Sequence, residues 1–199
     1  MTSSIETKIL RIFDELKKQG HITPRRVLKA SKKVPSFKSS VYTSNTILYN
    51  PNLGDLDDDV IRFSLLHEEG HLARGQYGPP ALLLLWSFGL IPLIIGILLK
   101  TDFFLISLFF FLFVFFSSIR ILTEPFYWDE FGSDEFASKI LHDCYKIKKP
   151  SEIVRTTLNS IPSSFDYSNL FHRICLAFIE YHPSTEQRVR NVIEVVDEK

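Results

Sequence analysis

Five residues in the first half of the chain, His67-Glu68-Glu69-Gly70-His71, carry the spacing of a reactive site. They read H-E-x-x-H. On a helix, positions i and i+4 lie on one face a turn apart. His67 and His71 can therefore aim two imidazoles at one metal ion, most often zinc. Glu68 stands one residue past the first ligand. From there its carboxylate reaches a water on the metal without binding the ion itself, takes that water's proton and later hands it to a leaving amine. The competing reading of the same string is two surface histidines on a charged helix.

A site that activates water usually has three protein ligands and one open position. Glu130 is the candidate third ligand. Asp134 lies one turn further on, placed to accept a hydrogen bond from the outer nitrogen of a ligand histidine and fix its tautomer. Taken alone, Asp129, Glu130, Asp134 and Glu135 would pass for a solvated acidic face. The upstream H-E-x-x-H singles out the pair.

These residues need a scaffold. Asp57, Asp58 and Asp59 supply an N-cap and negative charge for a helix around His67. Val60, Ile61, Phe63, Leu65 and Leu66 make it heavily apolar, and Gly75, Gly78, Pro79 and Pro80 end it. Residues 3–19 predict an amphipathic helix packed on the core, with Ile5, Ile9, Ile12, Phe13 and Leu16 on one side and Gly20 as its stop. Between 21 and 49 the period changes. Val27-Leu28 and the run from Val41-Tyr42 to Ile47-Leu48-Tyr49, bounded by Pro24, Pro35 and Pro51, predict a small antiparallel sheet. The last strand, near residues 45–49, is expected at an edge, where it could hold an extended polypeptide by backbone pairing. Glu124-Pro125 is expected to open a helix over 124–145. Further helices are expected over 151–160, capped by Ser151, over 166–181, and from Ser184 onward.

Residues 81–99 and 103–119 are nearly free of charge and hold Phe103-Phe104 and the run from Phe109 to Phe116. As helices they would span roughly 28 and 26 Å, close to the thickness of a bilayer's hydrocarbon core. Only Lys100-Thr101-Asp102 separates them. The expectation is a two-helix transmembrane hairpin in the cell membrane, with the lipid bilayer as a partner. Arg74 and Arg120 flank it, which favours a cytoplasmic catalytic part and cytoplasmic termini. Residues 1–20 lack the hydrophobic run of a cleavable signal peptide. The 23 basic and 23 acidic residues balance, so no nucleic-acid footprint is expected. Cys144 and Cys175 are expected as buried thiols rather than a disulfide.

The order of motifs carries a resemblance. H-E-x-x-H is followed by the expected hairpin, then by Glu130-x-x-x-Asp134-x-x-Ala137, then by His182-Pro183-x-x-x-x-Arg188. Over roughly residues 40–195 this resembles the membrane metallopeptidase family of the HtpX heat-shock protease and the type-1 CAAX prenyl protease. The resemblance implies a thermolysin-like zinc endopeptidase with Glu130 as third ligand and Asp134 behind a ligand histidine. It further implies His182 as a donor to the oxyanion and Arg188 as the residue that holds the site's acidic groups in place. Glu69 stands where that family commonly has an apolar residue.

The resulting expectation is an α+β, mainly helical, zincin-like catalytic domain with a small antiparallel sheet, interrupted by the hairpin. Residues 1–80 and 120–199 would form the two parts of the catalytic domain, and 81–119 the hairpin. Zn2+ would be the cofactor and a polypeptide of a membrane-associated or misfolded protein the substrate. The rival readings are a non-catalytic metal-binding membrane sensor or scaffold, and an intramembrane protease. The charged surroundings of H-E-x-x-H weigh against the last.

Overall fold

The computed structural model describes residues 4–39, 45–74, 91, 93–95, 97, 103–160 and 183–198. In chain order the elements are helix α1 (Ser4–Lys18), strands β1 (Val27–Ala30), β2 (Phe37–Ser39) and β3 (Thr46–Tyr49), and helices α2 (Asp58–Arg74), α3 (Phe103–Tyr145), α4 (Pro150–Ser160) and α5 (Thr185–Val192). A π-helical turn, Ile193–Asp197, follows. The chain divides into two compact units. One comprises Met1–Gln76, Trp128–Asp166 and Pro183–Lys199, and the other Tyr77–Tyr127 and Tyr167–His182.

In the first unit α2 is the central element. Val60, Ile61, Phe63, Leu65, Leu66, His67, Glu69 and Gly70 are all buried, as expected of a helix enclosed on more than one side. α1 covers it with the face foreseen from its periodicity: Ile5, Ile9, Ile12, Phe13 and Leu16 join the core. Gly20, at φ +80, ends that helix in a conformation that favours glycine.

The sheet is mixed rather than antiparallel. β1 pairs with β3 in parallel and β2 pairs with β3 antiparallel, in the order β1-β3-β2. The segment near residues 45–49 is therefore the central strand, paired on both sides, and not an edge. The edge beside α2 is β2, a three-residue strand too short to show a period. Residues 41–44, expected to begin the last strand, lie outside the described residues.

The C-terminal elements close the core with Val154, Val189, Val192 and Val196. Pro150 occupies the first turn of α4, where its missing N–H costs nothing. Ser151 does not cap that helix with its own oxygen. Its hydroxyl and backbone N–H instead turn to the carboxylate of Asp197 in the final turn. Ser184 caps α5 in a reciprocal box with Gln187.

The expected membrane hairpin requires correction. Among the described residues no helix is long and apolar enough to cross a membrane, and an integral membrane protein with a cytoplasmic catalytic part is not supported. The first expected arm, 81–99, lies almost wholly outside the described residues. The second, 103–119, is not a helix of its own. It is the start of α3, which runs 43 residues without a break at Glu124-Pro125 and whose later turns carry Asp129, Glu130 and Asp134. Counting uncharged residues located the apolar run but not the helix it belongs to. The helix expected over 166–181 lies outside the described residues, as does Cys175. Cys144, expected buried, is exposed.

Candidate metal centre

α2 and α3 bring the site together. On α3, Glu130, Ser133, Asp134, Ala137, Ser138 and Leu141 are all buried. Their spacing of three and four residues makes one stripe, carboxylates at one end and core at the other. α2 meets this stripe with Gly70, whose missing side chain leaves room for Ser133.

His67, His71 and Glu130 converge as expected, each offering a ligand atom within 4.8 Å of the others. The two Nε2 atoms are 3.0 Å apart. Glu130 places one oxygen 3.5 Å from His67 Nε2 and the other 3.4 Å from His71 Nε2. A tetrahedral ion with bonds of about 2.0–2.1 Å keeps its ligand atoms about 3.3 Å apart, so the observed spacings bracket that geometry.

The outer nitrogens decide what fills the gap. His67 Nδ1 lies 2.9 Å from Asp134 Oδ1, off the line of an ideal hydrogen bond. His71 Nδ1 lies 2.5 Å from Asp129 Oδ2. A carboxylate accepts only, so it favours the proton on the facing nitrogen. Both Nε2 atoms then present lone pairs to each other and to Glu130. That arrangement is repulsive until a cation enters.

The charges agree. Glu68, Asp129, Glu130 and Asp134 contribute four carboxylates, and Arg74 and Arg188 two guanidiniums. A divalent ion completes the balance. When no metal is present a proton takes its place: burial disfavours a charged His71, but Asp129 and Glu130 outweigh it and lift the ring to about 10. Burial also works against the Asp134 carboxylate, and Arg188 and His67 hold it below its usual range. Asp129 is likewise lowered, by His71 and Arg74 against its burial. The donor set fits a metal ion: two imidazoles and a carboxylate are three ligands, one fewer than a tetrahedral ion takes.

Arg188 Nε and Nη2 each donate to Asp134 at 2.7 Å, and Nη1 stands 2.8 Å from Glu130 Oε2. It thus clamps both acidic groups of α3. Glu68 Oε2 accepts the backbone N–H of Ser39 on β2, and its negative charge acts on both His71 and Arg188. His182 lies outside the described residues.

Three features went unread in the sequence. Asp129 is not part of a solvated face but the partner of His71. It stands one residue, about 100° around α3, from Glu130, an offset that by itself does not mark an inward side chain. Arg74, in the sequence no more than a flanking charge of the apolar run, donates from Nε to Asp129 Oδ1 at 2.7 Å and from Nη2 to the Asp129 carbonyl at 2.9 Å. Glu69 is buried with Arg26, whose Nε donates to it at 2.7 Å, and with Thr23, whose hydroxyl donates at 2.6 Å.

Comparison of the chain with protein-family models, with curated proteins and with solved structures finds no match in any of the three.

Proposed function

We propose that the protein is a zinc-dependent endopeptidase. The observation that carries the reading is the convergence of the His67 and His71 Nε2 atoms on the Glu130 carboxylate, with Glu68 one residue along α2. A divalent ion held by His67, His71 and Glu130 supplies an acidified water and polarises a carbonyl when bound. Two imidazoles and one carboxylate are a donor set typical of catalytic zinc.

The chain's own residues account for the rest. Asp134 and Asp129 orient the two rings. Arg188 holds Asp134 and Glu130 in register. Glu68 receives the proton of the attacking water and returns it to the amine as the peptide bond breaks, and the Ser39 N–H fixes the height of its carboxylate against β2. The resemblance described above supports this chemistry and assigns His182 as a donor to the oxyanion.

β2 is the better candidate than β3 for aligning an extended substrate. Asn50 N–H donates to the Ser36 carbonyl, so alternation along the antiparallel pair turns the backbone groups of Phe37 and Ser39 away from β3. Ser39 already points its N–H at Glu68.

The test is hydrolysis of an unstructured quenched-fluorescence polypeptide. Activity should vanish with a chelator, return with zinc, and be absent in a Glu68→Gln protein that retains its metal. A non-catalytic metal-binding scaffold is favoured by one observation: the contact with Ser39 gives Glu68 a structural task independent of catalysis. Under that reading the zinc-loaded protein cleaves nothing, and Glu68→Gln only lowers the melting temperature.

A further inference from the structure

Each candidate ligand histidine is backed by a carboxylate, and each carboxylate by an arginine. His67 leads to Asp134 and Arg188. His71 leads to Asp129 and Arg74. The two arms have the same chemistry and different surroundings. The Asp134 and Arg188 side chains are 0% and 10% exposed, whereas those of Asp129 and Arg74 are 23% and 38% exposed.

We propose that Arg74 is a positioning residue for His71, acting through Asp129, and that this solvent-facing arm sets how long the metal ion stays bound. The inference rests on the metal-site reading above. α2 supplies both ends of the arm: the ligand at 71 and, three residues later on the same face, the guanidinium that holds the ligand's partner. Arg74 is tied down at three points, the Asp129 carboxylate, the Asp129 carbonyl and the Ser133 hydroxyl. Gly132 makes room for it, since a β-carbon there would stand 2.9 Å from Arg74 Nη1. The carboxylate is thus pinned at its side chain and at its own backbone.

The difference in exposure gives the arms different strengths. Ion pairs reached by water are screened by salt, and buried ones much less. Arg188 is further tied to Glu130. When the centre loosens, His71 is the ligand whose support yields first. Once Arg74 lets go, Asp129 no longer holds the His71 Nδ1 proton in place, and the ring turns its Nε2 away from the ion.

The experiment follows transfer of zinc from the full-length, zinc-loaded chain to a chromophoric chelator. Arg74→Met should speed release by about 10-fold, the lower end of the affinity loss seen when a partner of a metal-bound histidine is removed, with the melting temperature of the metal-free protein little changed. Arg74→Lys should recover part of the loss, because an ammonium pairs with Asp129 but cannot reproduce the fork. Release from the wild type should accelerate with ionic strength, and release from Arg74→Met should not. In an Asp129→Asn background Arg74→Met should add little, since the two residues act in series. Arg155→Met, which removes a surface pair with Glu186, should leave the rate unchanged. Wild-type release from Arg74→Met, or full multiplication of the Arg74 and Asp129 effects, overturns the inference alone. A wild type that binds no zinc overturns the metal reading and this inference with it.

Discussion

Gly70 on α2 and Ser133 on α3 are in near-contact: a β-carbon on Gly70 would lie 3.1 Å from the Ser133 Cα and 3.3 Å from its side chain. The closest obstacle is backbone, which cannot swing aside. The two ligand-bearing helices owe their spacing to this absent side chain.

Gly70→Ala therefore sets two effects against each other. Alanine favours a helix by about 1 kcal/mol over glycine, while forcing atoms into a packed contact costs about 1–3 kcal/mol. The steric effect should win, lowering the melting temperature and weakening zinc binding together. Gly54→Ala, with nothing within 4 Å of the added carbon, should change neither. Calorimetry and a zinc titration on both variants check this, and equal behaviour of the two would refute it.

The purified protein should carry about one zinc per chain, following the three-ligand pattern of catalytic sites. Glu130→Ala should lose that metal, because the imidazoles alone leave the site two-coordinate. Elemental analysis after dialysis decides; wild-type zinc content in Glu130→Ala would mean another residue completes the site.

The metal-free protein should show an unusual dependence on pH. His71 titrates near 10 in the fold against an ordinary value of 6.5. Its contribution to stability is fully present below about 6.5 and lost as pH rises through 10. The lowered carboxyls of Asp129 and Asp134 act oppositely, stabilising above their ordinary value of 3.8 and less as pH falls through their folded values. Urea midpoints without metal should thus be highest between about pH 4 and 6.5 and fall toward pH 10. With zinc bound the alkaline decline should disappear, since the ion replaces the proton. A flat alkaline limb without metal would show that His71 is neutral there.

Glu69 and Arg26 should respond differently to single and paired replacement. Their side chains are 3% and 4% exposed, so Glu69→Ala leaves a buried guanidinium without its carboxylate and should cost about 3–5 kcal/mol. Glu69→Leu combined with Arg26→Met removes both charges while filling much of the space, and should cost less than Glu69→Ala, the loss of the Thr23 hydrogen bond being common to both. Chemical denaturation of both proteins measures the gap.

The parts of the site that were legible in the sequence are those set by position along a single helix. The spacing of His67 and His71, of Glu130 and Asp134, and the apolar face of α1 all follow from 3.6 residues per turn. What depends on a second element was not legible. Nothing local shows that Asp129 rather than Glu135 turns inward, because that is settled by where α2 lies. β2 is three residues long and contains a lysine, so its place at the edge, and the central place of β3, arise only when the strands pair. The uncharged run over 103–119 looks like a separate span because its composition carries no mark of the helix continuing through Pro125.

The offsets along α3 carry one more consequence. Asp129, Glu130 and Asp134 serve His71, the proposed ion and His67 in turn, from one rod whose rotation per residue is about 100°. Deleting a single residue between Glu130 and Asp134 would swing everything beyond it by that angle, moving Asp134 off His67 and Ala137 and Leu141 off the core at one stroke. The stretch should therefore accept exchanged side chains at Phe131 and Glu135 while rejecting any change of length. A library of substitutions and one-residue deletions across 129–135 would see that contrast as tolerated letters at Phe131 and Glu135 with no tolerated gap anywhere in the stretch.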